Sequence, residues 1–403
     1  MNPFASFKHR NYILYSIAIL LMFLGSWMSS AAMGWLVYEM TNSVSLLGVV
    51  AFCGQIAALI FTLPAGVVAD RYPKRKVVTM TQFSAMVVAF ILAFSVKYDF
   101  VTVPIILTIS TLHGIIGAID TPVRHSMVVE IVGRKDLPNA VALNSSIFNG
   151  ARMIGPVIAG WVMAAWGAVF CFFANAFGYL CAFIMMVCLD GSQMPDVQPV
   201  KEDTKALFKE GFRYVWSEKT IFRIMVASSI SFMFVGGSRT IMPAYAKDVV
   251  HVGAAGYGWL MASIGVGACI AAIIIAGCVN LFDRVKVIML GSLMTPISAI
   301  VLYFVPHYYA SLVCLFFVGF GMMLYHAVSN SYIQETAPDD IVGRVVGIRT
   351  FCMAGPAPLA MLLIGKYAAV RGCSETFLMC GIATLIASIF MVILPEAHRL
   401  RNN

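Results

Sequence analysis

Gly66-Val67-Val68-Ala69-Asp70-Arg71-Tyr72-Pro73-Lys74-Arg75-Lys76 places five charges within eleven residues. It stands between two apolar runs, near 45–69 and 77–96, that carry none. An α-helix needs about 20 apolar residues to cross a hydrocarbon core of roughly 30 Å. The stretch therefore reads as a tight, charged turn joining two membrane-spanning helices.

The same pattern extends through all 403 residues. Hydrophobic residues make up 60% of the chain and charged ones 11%, and the mean hydropathy is +0.87. Water-soluble domains hold about 45–50% apolar and about 25% charged residues. This excludes an ordinary soluble enzyme or nucleic-acid-binding domain, because there is not enough polar surface to dissolve the chain. The net charge of +8 lies in short loops and does not indicate a nucleic-acid partner.

Further apolar runs fall near 12–38, 100–119, 139–161 and 168–189, and then near 221–246, 254–280, 287–305, 309–332, 345–368 and 375–394. Twelve spans in two sets of six predict an all-α membrane protein, since backbone groups in lipid must be satisfied within each segment. Three regions follow: an N-terminal six-helix bundle at 1–189, a linker at 190–220, and a C-terminal six-helix bundle with a short tail at 221–403. In the linker Lys201, Lys205, Lys209 and Arg213 recur every four residues beside Phe208, Phe212, Val215 and Trp216. That is the pattern of an amphipathic helix at a membrane interface.

Twenty of the 27 Lys and Arg residues fall in loops on one side and four on the other. The positive-inside rule then puts both termini in the cytoplasm. The first span follows Lys8-His9-Arg10 without a small-residue cleavage site and is read as retained. The ten cysteines show no ligand spacing, so neither a metal site nor a disulfide framework is expected. The halves also echo each other. Ser126-Met127-Val128-Val129-Glu130 parallels Ser331-Tyr332-Ile333-Gln334-Glu335, Gly155-Pro156 parallels Gly355-Pro356, and Asp70-Arg71 parallels Asp283-Arg284. Repeated halves with a midplane binding site are the architecture of alternating-access carriers.

The 66–76 loop resembles the signature loop of the major facilitator superfamily: Gly, three residues, Asp-Arg, then a basic cluster, with Pro73 where Gly is usual. Gly34-Trp35-Leu36-Val37-Tyr38, Asp120-Thr121-Pro122, Asp136-Leu137-Pro138-Asn139-Ala140 and Asn144-Ser145 resemble the enterobactin-exporter-like branch of the drug:proton antiporters. The resemblance implies two pseudo-symmetric six-helix bundles of the major facilitator fold. It also implies a cytoplasmic latch drawn from Gly66, Asp70, Arg71, Arg75 and Asp120. Gly155, Pro156 and Gly160 resemble the antiporter signature of span five, with three residues rather than two after the proline. Small residues there permit close helix contact, and a proline permits a bend.

Ionisable groups inside a span are costly and mark candidate sites. Arg152 and Arg239 lie mid-span, and a guanidinium forks onto carboxylate or phosphate, so both are candidate contacts for an anionic substrate. Gln55, Asn149, Trp27 and Tyr325 are further candidate substrate contacts. Glu39, Asp120, His113 and His326 are the candidates for proton coupling, the histidines because imidazole titrates near neutral pH. No phosphate-cradling loop, intramembrane nucleophile motif or metal motif occurs, so the chain is not expected to be an enzyme or to carry a cofactor.

The expected protein is a monomeric, multi-pass transporter of a bacterial inner membrane, with protons and lipids as partners besides its solute. It would export a small siderophore-like or drug-like molecule by proton antiport. An importer of a siderophore-like solute or a lysophospholipid flippase is the alternative on the same scaffold.

Overall fold

The computed structural model describes residues 5–189, 212–278, 283–338 and 341–393, without the side chains of residues 5, 62–71, 278 and 393. The expected interfacial helix of the linker lies mostly outside the described residues. Those described are almost wholly helical.

The first helices are α1 (Arg10–Thr41), α2 (Val44–Arg71), α3 (Lys74–Lys97), α4 (Val103–Trp166) and α5 (Val169–Val187). Helix α6 (Lys219–Ser231) continues through π and 3-10 turns to Val249. It is followed by α7 (Ala254–Cys278), α8 (Arg284–Phe304) and α9 (Tyr308–Thr336). The last are α10 (Val342–Ala354), α11 (Ala357–Arg371) and α12 (Cys373–Ile393). Eleven helical stretches among the described residues are long and apolar enough to cross a membrane.

One of these, α4, runs for 64 residues, and Gly133 interrupts it with φ of 71°. A left-handed backbone is cheap only without a Cβ, and a Cβ built there would meet nothing within 4 Å. The glycine is needed for its conformation, not for space. The break divides α4 into two spans, which makes twelve among the described residues.

The fourth span differs from the sequence expectation. Its helix continues past residue 119 to the break at Gly133, through Pro122. Asp120, just past the predicted end of that span, therefore lies inside a helix together with Arg124, and both are buried. Pro122 has no N–H to offer the Ala118 carbonyl, so the helix gives up one backbone bond there and continues.

The two Gly-Pro pairs also differ. Helix α4 runs on through Gly155-Pro156, whereas Gly355-Pro356 separates α10 from α11.

Contacts divide the chain into two compact units. Unit 1 comprises Met1–Asn42, Val49–Val200 and Gly253–Gly258; unit 2 comprises Ser43–Gly48, Lys201–Val252 and Trp259–Asn403. In unit 1, Tyr12, Tyr15, Ile19, Val123, Met127 and Met186 anchor a core where α1, α4 and α5 meet. In unit 2, Ile221, Ile224, Tyr325, Val328, Val345 and Ile348 do the same for α6, α9 and α10.

The sequence echo has a structural counterpart inside each unit. Lys74 at the start of α3 pairs with Glu130 at 2.7 Å. Arg284 at the start of α8 pairs with Glu335 at the end of α9.

Candidate functional site

Unit 1 contains a cavity of about 310 Å³ whose walls come from α1, α3, both segments of α4, and α5. Helical periodicity builds it. Phe23 and Trp27 are four apart on α1, and His113, Gly117, Asp120, Thr121 and Arg124 follow one face of α4. Gln82 from α3, Phe148 from the second segment of α4 and Tyr179 from α5 complete the walls.

Close helix approach makes this arrangement possible. A Cβ on Gly114 would lie 2.1 Å from the Gly54 carbonyl of α2, and one on Gly155 would lie 2.6 Å from Trp27 Cβ. Larger residues at either point would hold the helices apart.

The polar end of the cavity is a buried ion pair. Arg124 Nε donates to Asp120 Oδ2 at 2.8 Å, one helical turn away. Thr81 Oγ1 and Gln82 Nε2 each donate to Asp120 Oδ1 at 2.8 Å. Both carboxylate oxygens are thereby engaged, and the guanidinium lies 4.9 Å from the centre of the Phe23 ring. An intramembrane carboxylate is costly unless paired and hydrogen-bonded, and this one has three donors.

Aromatic side chains line much of the rest of the cavity. Phe148 meets Phe23 edge-to-face at 5.1 Å and Trp27 at 6.0 Å. His113 stacks on Tyr179 at 5.9 Å, and Tyr179 in turn accepts a hydrogen bond from Ser26 Oγ at 3.3 Å. Aromatic rings beside an ionic pair suit an amphipathic organic solute.

Of the residues singled out from the sequence, Trp27, His113 and Asp120 line this cavity together. Arg152 is half-buried one turn beyond Phe148. Gln55 is exposed on α2; Asn149 is exposed on α4, its amide donating to the Ser145 carbonyl at 2.8 Å. Glu39 is exposed near the end of α1. Gly66, Asp70 and Arg71 fall where side chains lie outside the described residues.

Arg75 is engaged within unit 1. Its guanidinium donates to the carbonyls of Met186 and Val187 at 3.2 and 2.6 Å. A cation at those carbonyls caps the C-terminal end of α5. Gly160 is a packing residue, its absent Cβ leaving room for Gly258 Cα.

Unit 2 holds the other candidates. Tyr325 is buried in the core, with its hydroxyl donating to the Ile224 carbonyl at 3.1 Å. This placement makes it a packing residue of unit 2 and not a part of the cavity wall. Both ring nitrogens of His326 are enclosed without a protein hydrogen bond. Arg239 contacts Met322 Sδ at 3.5 Å from a 3-10 turn. Arg349 ties α10 to α9 by donating to Asn330 Oδ1 and the His326 carbonyl at 3.1 and 3.0 Å.

Sequence reading missed Thr81, Gln82, Phe23, Phe148 and Tyr179. The i, i+4 spacing of Asp120 and Arg124 was the available signal for the pair. Nothing in the sequence marks the α3 donors. Among the described residues no group of three His, Cys, Asp or Glu side chains is placed to hold a metal ion.

Comparison with known proteins places this helical chain. The profile of the transmembrane secretion effector family matches residues 1–401. The chain belongs to that family. It is similar to the staphyloferrin A transporter of Staphylococcus aureus, with 27% identity covering 94% of this chain and 95% of that protein. It is 25% identical to the multidrug efflux pump Tap of Mycolicibacterium fortuitum, over 98% of each. It is 24% identical to the enterobactin exporter EntS of Shigella boydii, over 90% of this chain and 86% of that protein.

Among solved structures, a D-xylose–proton symporter superposes with a TM-score of 0.72 at 16% identity, covering 96% of this chain and 98% of that one. This secretion effector is thus a multi-pass membrane transporter of the major facilitator fold, not an enzyme.

Proposed function

We propose that this family member exports a small siderophore-like or drug-like solute across a bacterial inner membrane by alternating access, in exchange for protons. Both termini face the cytoplasm in this reading, and the transporter works as a monomer. The observation that carries it is the unit 1 cavity, which a buried Asp120–Arg124 ion pair shares with aromatic side chains. The three relatives, a staphyloferrin A transporter, a multidrug efflux pump and an enterobactin exporter, support the solute class.

In mechanism, the aromatic side chains hold the apolar body of the solute. Asp120 takes and releases the exchanged proton, and Arg124 responds to its charge. Arg152, one turn from Phe148, and Arg239 in unit 2 are the proposed contacts for acidic groups on a solute. Gly66, Asp70, Arg71, Arg75 and Asp120 are the proposed latch of the transport cycle.

Proteoliposomes provide the test. A panel of siderophores, drugs and lysophospholipids is presented with and without an imposed pH gradient. The reading expects gradient-driven movement of siderophores or drugs. Movement of lysophospholipid alone, or equal rates without the gradient, would replace it.

A further inference from the structure

We propose that unit 2 holds a small monovalent anion of the halide class, bound between α6, α9 and α10 by Arg349, His326 and the hydroxyls of Ser231 and Ser329. The site belongs to unit 2 alone and goes beyond the export reading, on which it does not depend.

Arg349 carries a charge that its protein neighbours do not balance. It is buried in α10, and a guanidinium stays charged at any working pH. Two of its nitrogens donate to neutral oxygens, Asn330 Oδ1 at 3.1 Å and the His326 carbonyl at 3.0 Å. Its Nε–H is enclosed without a protein acceptor. Among the described residues no carboxylate acts on it. A charge buried in this way is costly unless a counter-ion accompanies it.

The surroundings supply donors. Both ring nitrogens of His326 and the hydroxyls of Ser231 and Ser329 are enclosed without a protein hydrogen bond. Helical spacing gathers them. On α9, His326, Ser329 and Asn330 share one face, and Asn330 and the His326 carbonyl both meet Arg349. On α6, Ser231 lies two turns beyond Ile224, whose carbonyl accepts from the Tyr325 hydroxyl of α9 at 3.1 Å. The ring of Phe232, the next residue, lies 6.3 Å from the His326 ring.

The balance of donors and acceptors selects the ligand. The Arg349 Nε–H can only donate, an imidazole always keeps at least one N–H, and each hydroxyl can rotate to donate. Water brings protons and lone pairs in equal number, whereas an anion only accepts. Donors gathered around a permanent positive charge therefore favour an anion over water and exclude a cation. The charges of Arg349 and Arg239 both bear on His326, which strengthens the positive potential. A single guanidinium in need of balance calls for a monovalent ion, and enclosure among packed helices for a small one. Bound there, the anion neutralises Arg349 and secures the tie that it makes from α10 to α9.

The test uses the full-length protein in lipid nanodiscs, exchanged into sodium gluconate, with radioactive chloride as the probe. Binding should saturate at a single chloride per chain, and bromide but not sulfate should displace it. At constant ionic strength, replacing gluconate by chloride should raise the thermal unfolding midpoint, as a ligand of the folded state does. Arg349→Gln should weaken chloride binding by roughly tenfold or more, the worth of a hydrogen bond to a charged group, and remove the shift in midpoint.

His326→Phe decides the matter if Arg349→Gln does not fold. Phenylalanine keeps the ring contacts to Tyr325 and Phe232 and removes only nitrogens that the protein leaves unbonded. Chloride affinity should fall roughly tenfold in this variant too. Equal midpoints in gluconate and chloride without saturable binding would overturn the proposal and leave the cluster to water. So would wild-type chloride affinity in Arg349→Gln or His326→Phe, or displacement by sulfate as readily as by bromide.

Discussion

Replacing Asp120 by Asn should destabilise the protein by about 3–5 kcal/mol, the range for breaking a buried ion pair by removing one partner. Asn preserves the shape and leaves an oxygen to accept from Thr81 and Gln82. Its amide, however, turns a donor toward Arg124 Nε, which now sits 2.8 Å from an oxygen. One charge-assisted bond is lost, worth roughly 1.5–3 kcal/mol. The rest is the cost of a buried guanidinium without a counter-charge. The side chains of Asp120 and Arg124 are only 9% and 7% exposed, so water can offset little of it. The Phe23 ring retains a cation–π contact of roughly 0.5–2 kcal/mol, which keeps the expected loss toward the lower end.

The assay is equilibrium unfolding in mixed micelles followed by helical circular dichroism, on Asp120→Asn, Arg124→Gln and the double variant. The double variant should be more stable than the sum of the singles by about 2 kcal/mol, because it leaves no orphaned charge. Additive single effects would refute the pairing and, with it, the reasoning from the cavity's polar end.

Three further outcomes follow from the packing. Gly155→Ala should cost about 1–3 kcal/mol, because its Cβ would fall 2.6 Å from Trp27 Cβ, whereas Gly150→Ala, with nothing within 4 Å, should be neutral or stabilising by about 0.5 kcal/mol; thermal unfolding of both variants checks the opposite signs. Arg75→Gln should uncap α5, costing about 1 kcal/mol and speeding hydrogen exchange at the amides before Cys188, with unchanged exchange arguing against the cap. The Asp136 carboxyl is held below its ordinary value by hydrogen bonds from Lys8 and then His9. A lowered carboxylate stabilises above its ordinary value, near 3.8, and loses that contribution as the pH falls through the lower, folded-state value. The tie of Lys8 and His9 to the Asp136 carboxylate should therefore be intact at neutral pH, weaken only in strong acid, and be absent at all pH in Asp136→Asn, as limited proteolysis at Lys8 would show.

The fold was legible because hydrophobic run length and loop charge are both sequence properties with one physical reading in a bilayer. The repeat was legible for a similar reason: Glu130 and Glu335 recur in matching contexts, and each closes an ion pair onto the third helix of its half. The site was legible only in part. Asp120 fell just past the predicted end of the fourth span at 119, and only coordinates show that its helix continues to Gly133. Thr81 and Gln82 could not be found, since whether a polar residue on α3 faces α4 depends on helix rotation, which packing sets. Tyr325 and Trp27 are both aromatic residues in apolar runs. One ended in a core and the other on a cavity wall, a difference that lies in the neighbouring helices and not in their own sequence.

The most direct measurement is solute efflux from proteoliposomes driven by a pH gradient, comparing the wild type with Asp120→Asn/Arg124→Gln. The account predicts gradient-driven efflux by the wild type, and in the double variant only slow movement down the solute's own gradient, at the same rate whether or not a pH gradient is imposed. Efflux by the double variant that still accelerates with the pH gradient would contradict it.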